Sequence, residues 1–262
     1  MSTPVTQPAI LECREGAVVV LTLNAPEKRN ALIPAIREGL IEALDRLDTD
    51  PDCRAIVITG AGNCFCAGGD ISNPGPFTPL EVRRLMKRPQ RLLKAIAFHS
   101  KPIIAAVEGP AFGAGFALAV ACDFVVASAD ATFCAAYGRI GVMPDIGLLW
   151  SLPLRAGMGV TREVVMFADV IKAADGRDKG FVDWVADAGG AEADALERAT
   201  VLATKATASI GLTKALLARA PLDMDMVLAH EIEAQAVLST TEDAREGILA
   251  FVEKRKTAFK GA

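Results

Sequence analysis

Two glycine-rich stretches each leave an apolar run in this sequence, and both have the composition of loops that bring bare backbone N–H groups up to a ligand. The first is Ala55-Ile-Val-Ile-Thr-Gly-Ala-Gly-Asn-Cys-Phe-Cys-Ala-Gly-Gly-Asp70. The second is Lys101-Pro-Ile-Ile-Ala-Ala-Val-Glu-Gly-Pro-Ala-Phe-Gly-Ala-Gly-Phe116. Glycine and alanine put little bulk between the main chain and an approaching atom. Two N–H groups aimed at one point stabilise a developing oxyanion, and removing one such donor costs roughly 3–4 kcal/mol. The second stretch runs into Phe116-Ala-Leu-Ala-Val-Ala-Cys122, an apolar helical segment. Its last N–H groups therefore fall at a helix N-terminus, where negative charge is favoured.

The acid–base candidate is Asp145, in Arg139-Ile-Gly-Val-Met-Pro-Asp-Ile-Gly-Leu-Leu-Trp-Ser-Leu-Pro153. An aspartate after proline is commonly a turn residue, yet Val142, Met143, Ile146, Leu148, Leu149 and Trp150 surround this one. A carboxylate among such neighbours has a raised pKa, which suits proton transfer near neutrality. Other site types fail on spacing. Gly113-Ala-Gly115 starts like a dinucleotide fingerprint, but Leu118 stands where a small residue is needed. Neither a P-loop nor a Gly-x-Ser-x-Gly nucleophile elbow occurs.

The elements that must hold these groups follow from periodicity. Ala17–Leu23, Ala55–Thr59, Pro102–Val107 and Phe124–Ala127 read as strands. Leu32, Ile36, Leu40, Leu44 and Leu47 mark an amphipathic helix that stops near Asp50-Pro51. Ser72–Pro79 is loop, and Glu81–Phe98 is a helix bent at Pro89. Strands alternating with helices predict a mainly parallel α/β core. After about Thr161 strand signals thin out, and Ala191–Ala208, Gly211–Ala218, Met224–Leu238 and Thr241–Lys256 read as helices. Ser239-Thr-Thr-Glu242 offers the last of them a capping box.

The chain has 262 residues, enough to bury about three quarters of its unfolded surface. A hydrophobic fraction of 52% fits an Ala- and Val-rich core or apolar surface buried between subunits. The net charge of −4 gives no general field for nucleic acid. Lys28-Arg29, Arg83–Arg88 and Lys254–Lys256 are local basic clusters, either solvated faces or holders of an anionic ligand. Met1–Pro8 carries no apolar run behind a basic start, so the six cysteines are expected as reduced thiols in a cytoplasm. Cys64 and Cys66 have the wrong spacing for a zinc knuckle, and only His99 and His230 could assist, so no metal is expected. The uncharged stretch Gly109–Cys122 is too short to span a bilayer.

Taken together, these segments resemble the crotonase superfamily, the enoyl-CoA hydratase/isomerase group. The matching stretches are Asn24-Ala-Pro-Glu-Lys-Arg-Asn-Ala-Leu32, Phe65–Asp70, Ala106–Gly115, Cys122–Ala127, Arg139–Pro153 and Gly247–Arg255. The resemblance implies a spiral of ββα units over residues 1–198 and a helical trimerisation region over 199–262, in a homotrimer or hexamer. It implies an acyl-CoA thioester as substrate, with coenzyme A carried on the substrate and no separate cofactor. The backbone N–H groups of Gly69 and Ala114 become the oxyanion donors. Ala67, Asp70 and Ile71 border the adenine, Lys28 and Arg29 meet phosphate, and Phe251 and Lys254 complete a neighbouring subunit's CoA site.

Hydratases that resemble crotonase hold one water between two glutamates. The matching positions here are Ala117 and Tyr137, neither of which can be that base. Asp145 matches the base of isomerases in the family, and its segment is very like that of the phenylacetate-pathway ring-opening isomerases. The resulting expectation is an enoyl-CoA isomerase with Asp145 as base and Tyr137 packing in the pocket or donating a hydrogen bond. The alternatives are a hydratase, an aspartate nucleophile on an aromatic acyl-CoA, and a non-catalytic acyl-CoA-binding subunit.

Overall fold

The computed structural model describes residues 8–71 and 75–261. The N-terminal reading up to Gln7 and the Ser72–Pro74 part of the expected loop lie outside the described residues. A six-stranded sheet has the order β1-β2-β3-β4-β6-β9. Its strands are β1 (Ile10–Glu15), β2 (Val18–Leu23), β3 (Ala55–Gly60), β4 (Ile103–Val107), β6 (Phe124–Ser128) and β9 (Trp184–Ala186). β1 pairs antiparallel with β2, and every other neighbour in this sheet is parallel. A smaller sheet holds β5 (Pro110–Phe112), β7 (Thr132–Cys134) and β8 (Ile171–Lys172). Cys66 extends it through a parallel bridge to Ala111.

The chain visits the two sheets in rotation. β3 leads to the Cys66 bridge and then to helix α2 (Pro79–Ala97). β4 leads to β5 and then to α3 (Ala114–Ala121), and β6 leads to β7 and then to α4 (Leu148–Phe167). These are three turns of a ββα spiral, the crotonase-like arrangement that the motifs imply. The inner strands β2, β3, β4 and β6 are buried on both faces, which is why they are continuous apolar runs. Val19, Leu21, Ile56, Ile58, Ala105 and Val125 face the main core, together with the stripe Ile36, Leu40, Leu44 and Leu47 of α1 (Pro34–Asp48). Burying one such aliphatic side chain contributes about 1.5–3 kcal/mol. Val18, Val20, Ala55, Val57, Ile104, Ala106 and Val126 face the other way, onto Ala191, Ala195, Ala199 and Ala203 of α6 (Ala191–Ala203).

Several boundaries move for identifiable reasons. α2 begins at Pro79, because Thr78 and Glu81 cap it reciprocally. α3 begins at Ala114 rather than Phe116, directly on the second glycine loop. Ser239 does not start the last helix, since its hydroxyl donates to Ala236 O and closes α8 (Met224–Leu238). Thr241 caps α9 (Glu242–Glu253) instead, accepting the Ala244 N–H at 3.1 Å. α5 (Ala173–Asp178) and the whole of α4 were not foreseen as helices.

The C-terminal helices are tied back to the core by charge. Lys214, on α7 (Thr207–Leu217), donates to Asp123 Oδ2 at 2.6 Å and to Lys101 O at 3.1 Å. Arg54 reaches Phe259 O, Lys205 O and Thr207 Oγ1. The buried Asp243 carboxylate accepts the N–H groups of Lys260 and Gly261. In the single chain α8 buries no side chain, and Ile232, Val237, Ile248 and Phe251 of α8 and α9 are exposed. No helix among the described residues is long and apolar enough to cross a membrane.

Candidate active site

The two glycine loops meet. Cys66 N–H donates to Pro110 O at 3.1 Å, and Phe112 N–H donates back to Cys66 O at 2.9 Å. Glycine is required by this closeness. A Cβ on Gly115 would stand 2.1 Å from Cys66 O, and one on Gly68 would stand 2.9 Å from Phe112 O. Gly68 also has φ +112°, a backbone conformation that side chains other than glycine rarely tolerate.

Gly113 is the N-cap of α3, so Ala114 supplies the helix's first N–H, at the positive end of its dipole. Gly113 N–H is itself bonded to Cys134 O at 2.8 Å, which fixes α3 to the end of β7. Among the described residues, neither the Gly69 nor the Ala114 N–H bonds to a backbone carbonyl. Gly69 is exposed, and a Cβ there would meet nothing within 4 Å. The arrangement puts Gly69 in an exposed part of one loop and the Ala114 N–H at a helix N-terminus, joined through the same packed backbone.

A third segment holds the first loop in place. Asn30 is fully buried, with φ +53°. Its Nδ2 donates to Ala61 O and Cys64 O, and its Oδ1 accepts the Ala25 N–H. Ala67 N–H donates to Arg29 O at 2.9 Å, and Leu32 N–H donates to Gly68 O at 2.8 Å. Arg29 is therefore joined to Ala67, and Lys28, Arg29, Asp70 and Ile71 are exposed, Ile71 by 70%. Sequence reasoning named Asn30 only as part of a matching stretch. The residue type itself, an asparagine suited to the left-handed φ it adopts, is the only sequence signal for it.

Asp145 sits on the turn before α4, and Tyr137 on a 3-10 turn over Ala136–Ile140. The Tyr137 hydroxyl donates to Asp145 Oδ1 at 2.7 Å. Burial pushes the Asp145 carboxyl above its ordinary range, and the Tyr137 hydrogen bond pulls it part of the way back. Tyr137 is raised by burial and by the facing carboxylate, so it stays protonated and remains the donor. The apolar surroundings differ in part from the reading by sequence. Ile146 and Leu148 are buried, but Val142, Met143 and Leu149 are 52%, 72% and 44% exposed and form a rim. α2 closes the other side, since Leu93 fills the space that a Cβ on Gly147 would take.

Ala117 is fully buried on α3 and offers no polar atom beyond its backbone. Phe251 and Lys254 lie exposed at the end of α9. His99 is buried between Leu44 O and the Lys101 N–H, and burial lowers its pKa, which makes it a structural neutral imidazole. Among the described residues no group of three or more His, Cys, Asp or Glu side chains could hold a metal ion.

A family profile described as enoyl-CoA hydratase/isomerase matches residues 13–262. The chain belongs to the enoyl-CoA hydratase/isomerase family. It is 33% identical over 260 residues to a 1,2-epoxyphenylacetyl-CoA isomerase of Escherichia coli (strain K12), covering 96% of this chain and 98% of the relative. It is 32% identical over 249 residues to a short-chain-enoyl-CoA hydratase of Clostridium acetobutylicum, covering 94% and 95%. The crystal structure of an enoyl-CoA hydratase from Polaromonas sp. JS666 superimposes with a TM-score of 0.89 at 37% identity, over 95% of this chain and 99% of that one. Enoyl-CoA hydratase/isomerase relatives thus carry both reaction names.

Proposed function

We propose that this chain is an enoyl-CoA isomerase that moves a double bond through a thioester enolate, with Asp145 as its base. The observation that carries this reading is one half-buried carboxylate, held by Tyr137, while Ala117 is fully buried and bears no carboxyl group. That is one proton carrier, without the carboxylate pair that activates water. In a 3-enoyl thioester the proton on C2 passes to Asp145, and the C–H electron pair delocalises onto the carbonyl oxygen. The Gly69 and Ala114 N–H groups bind that charge more strongly than they bind the neutral carbonyl, which is what lowers the barrier. Return of the same proton to C4 leaves the double bond at C2–C3, with no atom gained or lost.

Lys28 and Arg29 take the CoA phosphates, and Ala67, Asp70 and Ile71 border the adenine. Phe251 and Lys254 serve a neighbouring subunit's site in a homotrimer or hexamer, a reading supported by the exposed apolar faces of α8 and α9. Six free thiols fit a cytoplasmic enzyme. The test is incubation with a 3-enoyl-CoA and, separately, a 2-enoyl-CoA in heavy water, with products followed by mass. A moved double bond without added water, lost in Asp145→Asn, supports the isomerase. Added water reassigns the chain as a hydratase, and CoA affinity without turnover makes it a binding subunit.

A further inference from the structure

A free carboxylate presents either oxygen to a substrate, whereas the Asp145 carboxylate is held at one. Among the described residues Tyr137 is the only side chain that donates to it, at 2.7 Å to Oδ1. The tyrosine is itself fixed, 6% exposed in the main core, with its carbonyl accepting the Val142 N–H at 3.1 Å. We infer that Tyr137 is the positioning residue of the base, engaging Oδ1 so that Oδ2 alone takes the substrate proton and hands it back. This rests on the assignment of Asp145 as base. One oxygen fixed on one side of the enolate returns the proton on the face from which it came, before solvent exchanges it. The same hydrogen bond favours the charged carboxylate against the desolvation around it.

The other titratable group that acts on the Tyr137 hydroxyl is the Cys66 thiol, pushed up to about 12 by burial and therefore neutral throughout. α3 brings no titratable side chain to the pair, α2 brings Leu93 to the adjoining Gly147, and Arg139 on the tyrosine's own turn is exposed. The acid limb of activity thus reports the Asp145–Tyr137 pair.

Tyr137 is the single tyrosine of the chain, so growth on 3-fluorotyrosine labels this position alone. The expected fluorine resonance moves through one titration whose midpoint matches the acid limb of kcat/KM, and the movement is absent in Asp145→Asn. The fluorinated phenol is a stronger donor, so the acid limb of the labelled enzyme moves to lower pH. Tyr137→Phe is expected to lose about tenfold in kcat with KM little changed, to raise the acid limb by about one pH unit, and to put more solvent deuterium into the product. A fluorine resonance that stays flat across the acid limb overturns the inference, as does a Tyr137→Phe enzyme with unaltered pH profile and deuterium content. Should Tyr137→Phe fail to fold, the fluorinated wild type decides alone. Isomerisation at the wild-type rate in Asp145→Asn refutes the base itself, a separate failure.

Discussion

Gly115→Ala probes the contact between the two loops most directly. Alanine is the better helix former by about 1 kcal/mol, so on an open helix this substitution would stabilise. Here the new Cβ would lie 2.1 Å from Cys66 O and 2.8 Å from the Cys66 carbonyl carbon, where ordinary contact starts at 3.4 Å. Both neighbours are backbone, so the loops must separate by about an ångström rather than a side chain swinging away. Overpacking of that kind costs about 1–3 kcal/mol, and weakening the Phe112 N–H to Cys66 O bond adds ~1 kcal/mol. The overlap wins, with a net loss of roughly 1–3 kcal/mol. The effect on rate is larger, because a misplacement of about 1 Å between reacting groups costs on the order of 100-fold. The assay is steady-state turnover of a 3-enoyl-CoA beside thermal unfolding. Gly159→Ala is the control, since its Cβ meets nothing within 4 Å, and its activity is expected to match wild type. Gly115→Ala turnover within about threefold of wild type would refute the reasoning that the two loops work only when pressed together.

Asn30→Ala leaves the Ala25 N–H and two carbonyls without their partner and puts alanine at φ +53°. A loss of about 2–5 kcal/mol is expected in urea unfolding, and Asn30→Asp, which keeps only the acceptor, should recover a minor part. Asp145 has a raised pKa in the folded chain, so its contribution to stability is full below the ordinary carboxylate value and is lost as pH rises through the folded value. The thermal-stability advantage of Asp145→Asn over wild type should therefore grow across the window that runs from the ordinary carboxylate value up through the folded value. An advantage of constant size across that window would count against burial as the cause. Cys13 is the exposed thiol, while burial pushes Cys66 and Cys122 up to about 12. A disulfide reagent at pH 8 should titrate one thiol quickly in the native protein and the others only after denaturation.

What the sequence discloses depends on whether an element's pattern is its own. β3 and α1 were nearly legible, because a buried apolar run or a 3.6-residue stripe is a local property, whereas α8 was legible to the residue although it buries no side chain. β1 was missed because it is an edge strand with almost every side chain exposed, so Leu11-Glu-Cys-Arg14 shows no buried alternation. β5 and β7 have three residues each, and their pairing is set by chain segments far apart in sequence. α4 was hidden by Pro153 and by a kink at Gly157, where φ is 76°. At the candidate site, the small residues that let the two loops meet and the burial of Asp145 were legible by composition. The Tyr137 hydroxyl on Asp145 was open as one of two roles, because spacing along the chain does not say where a ring points. The three backbone bonds made by Asn30 were invisible, since they join stretches that only folding brings together.

The alanine stripe of α6 has a consequence for biosynthesis. Four strands turn Val18, Val20, Ala55, Val57, Ile104, Ala106 and Val126 toward it, and all of these are made well before Ala191. At a translation speed of ~5–20 residues per second, that face of the nascent sheet stays bare for several seconds until residues 191–203 emerge. An apolar sheet face of this kind is open to chaperones or to a neighbouring nascent chain during the wait. Slowing synthesis between β6 and α6 should therefore lower soluble yield, even though it changes no residue of the finished enzyme.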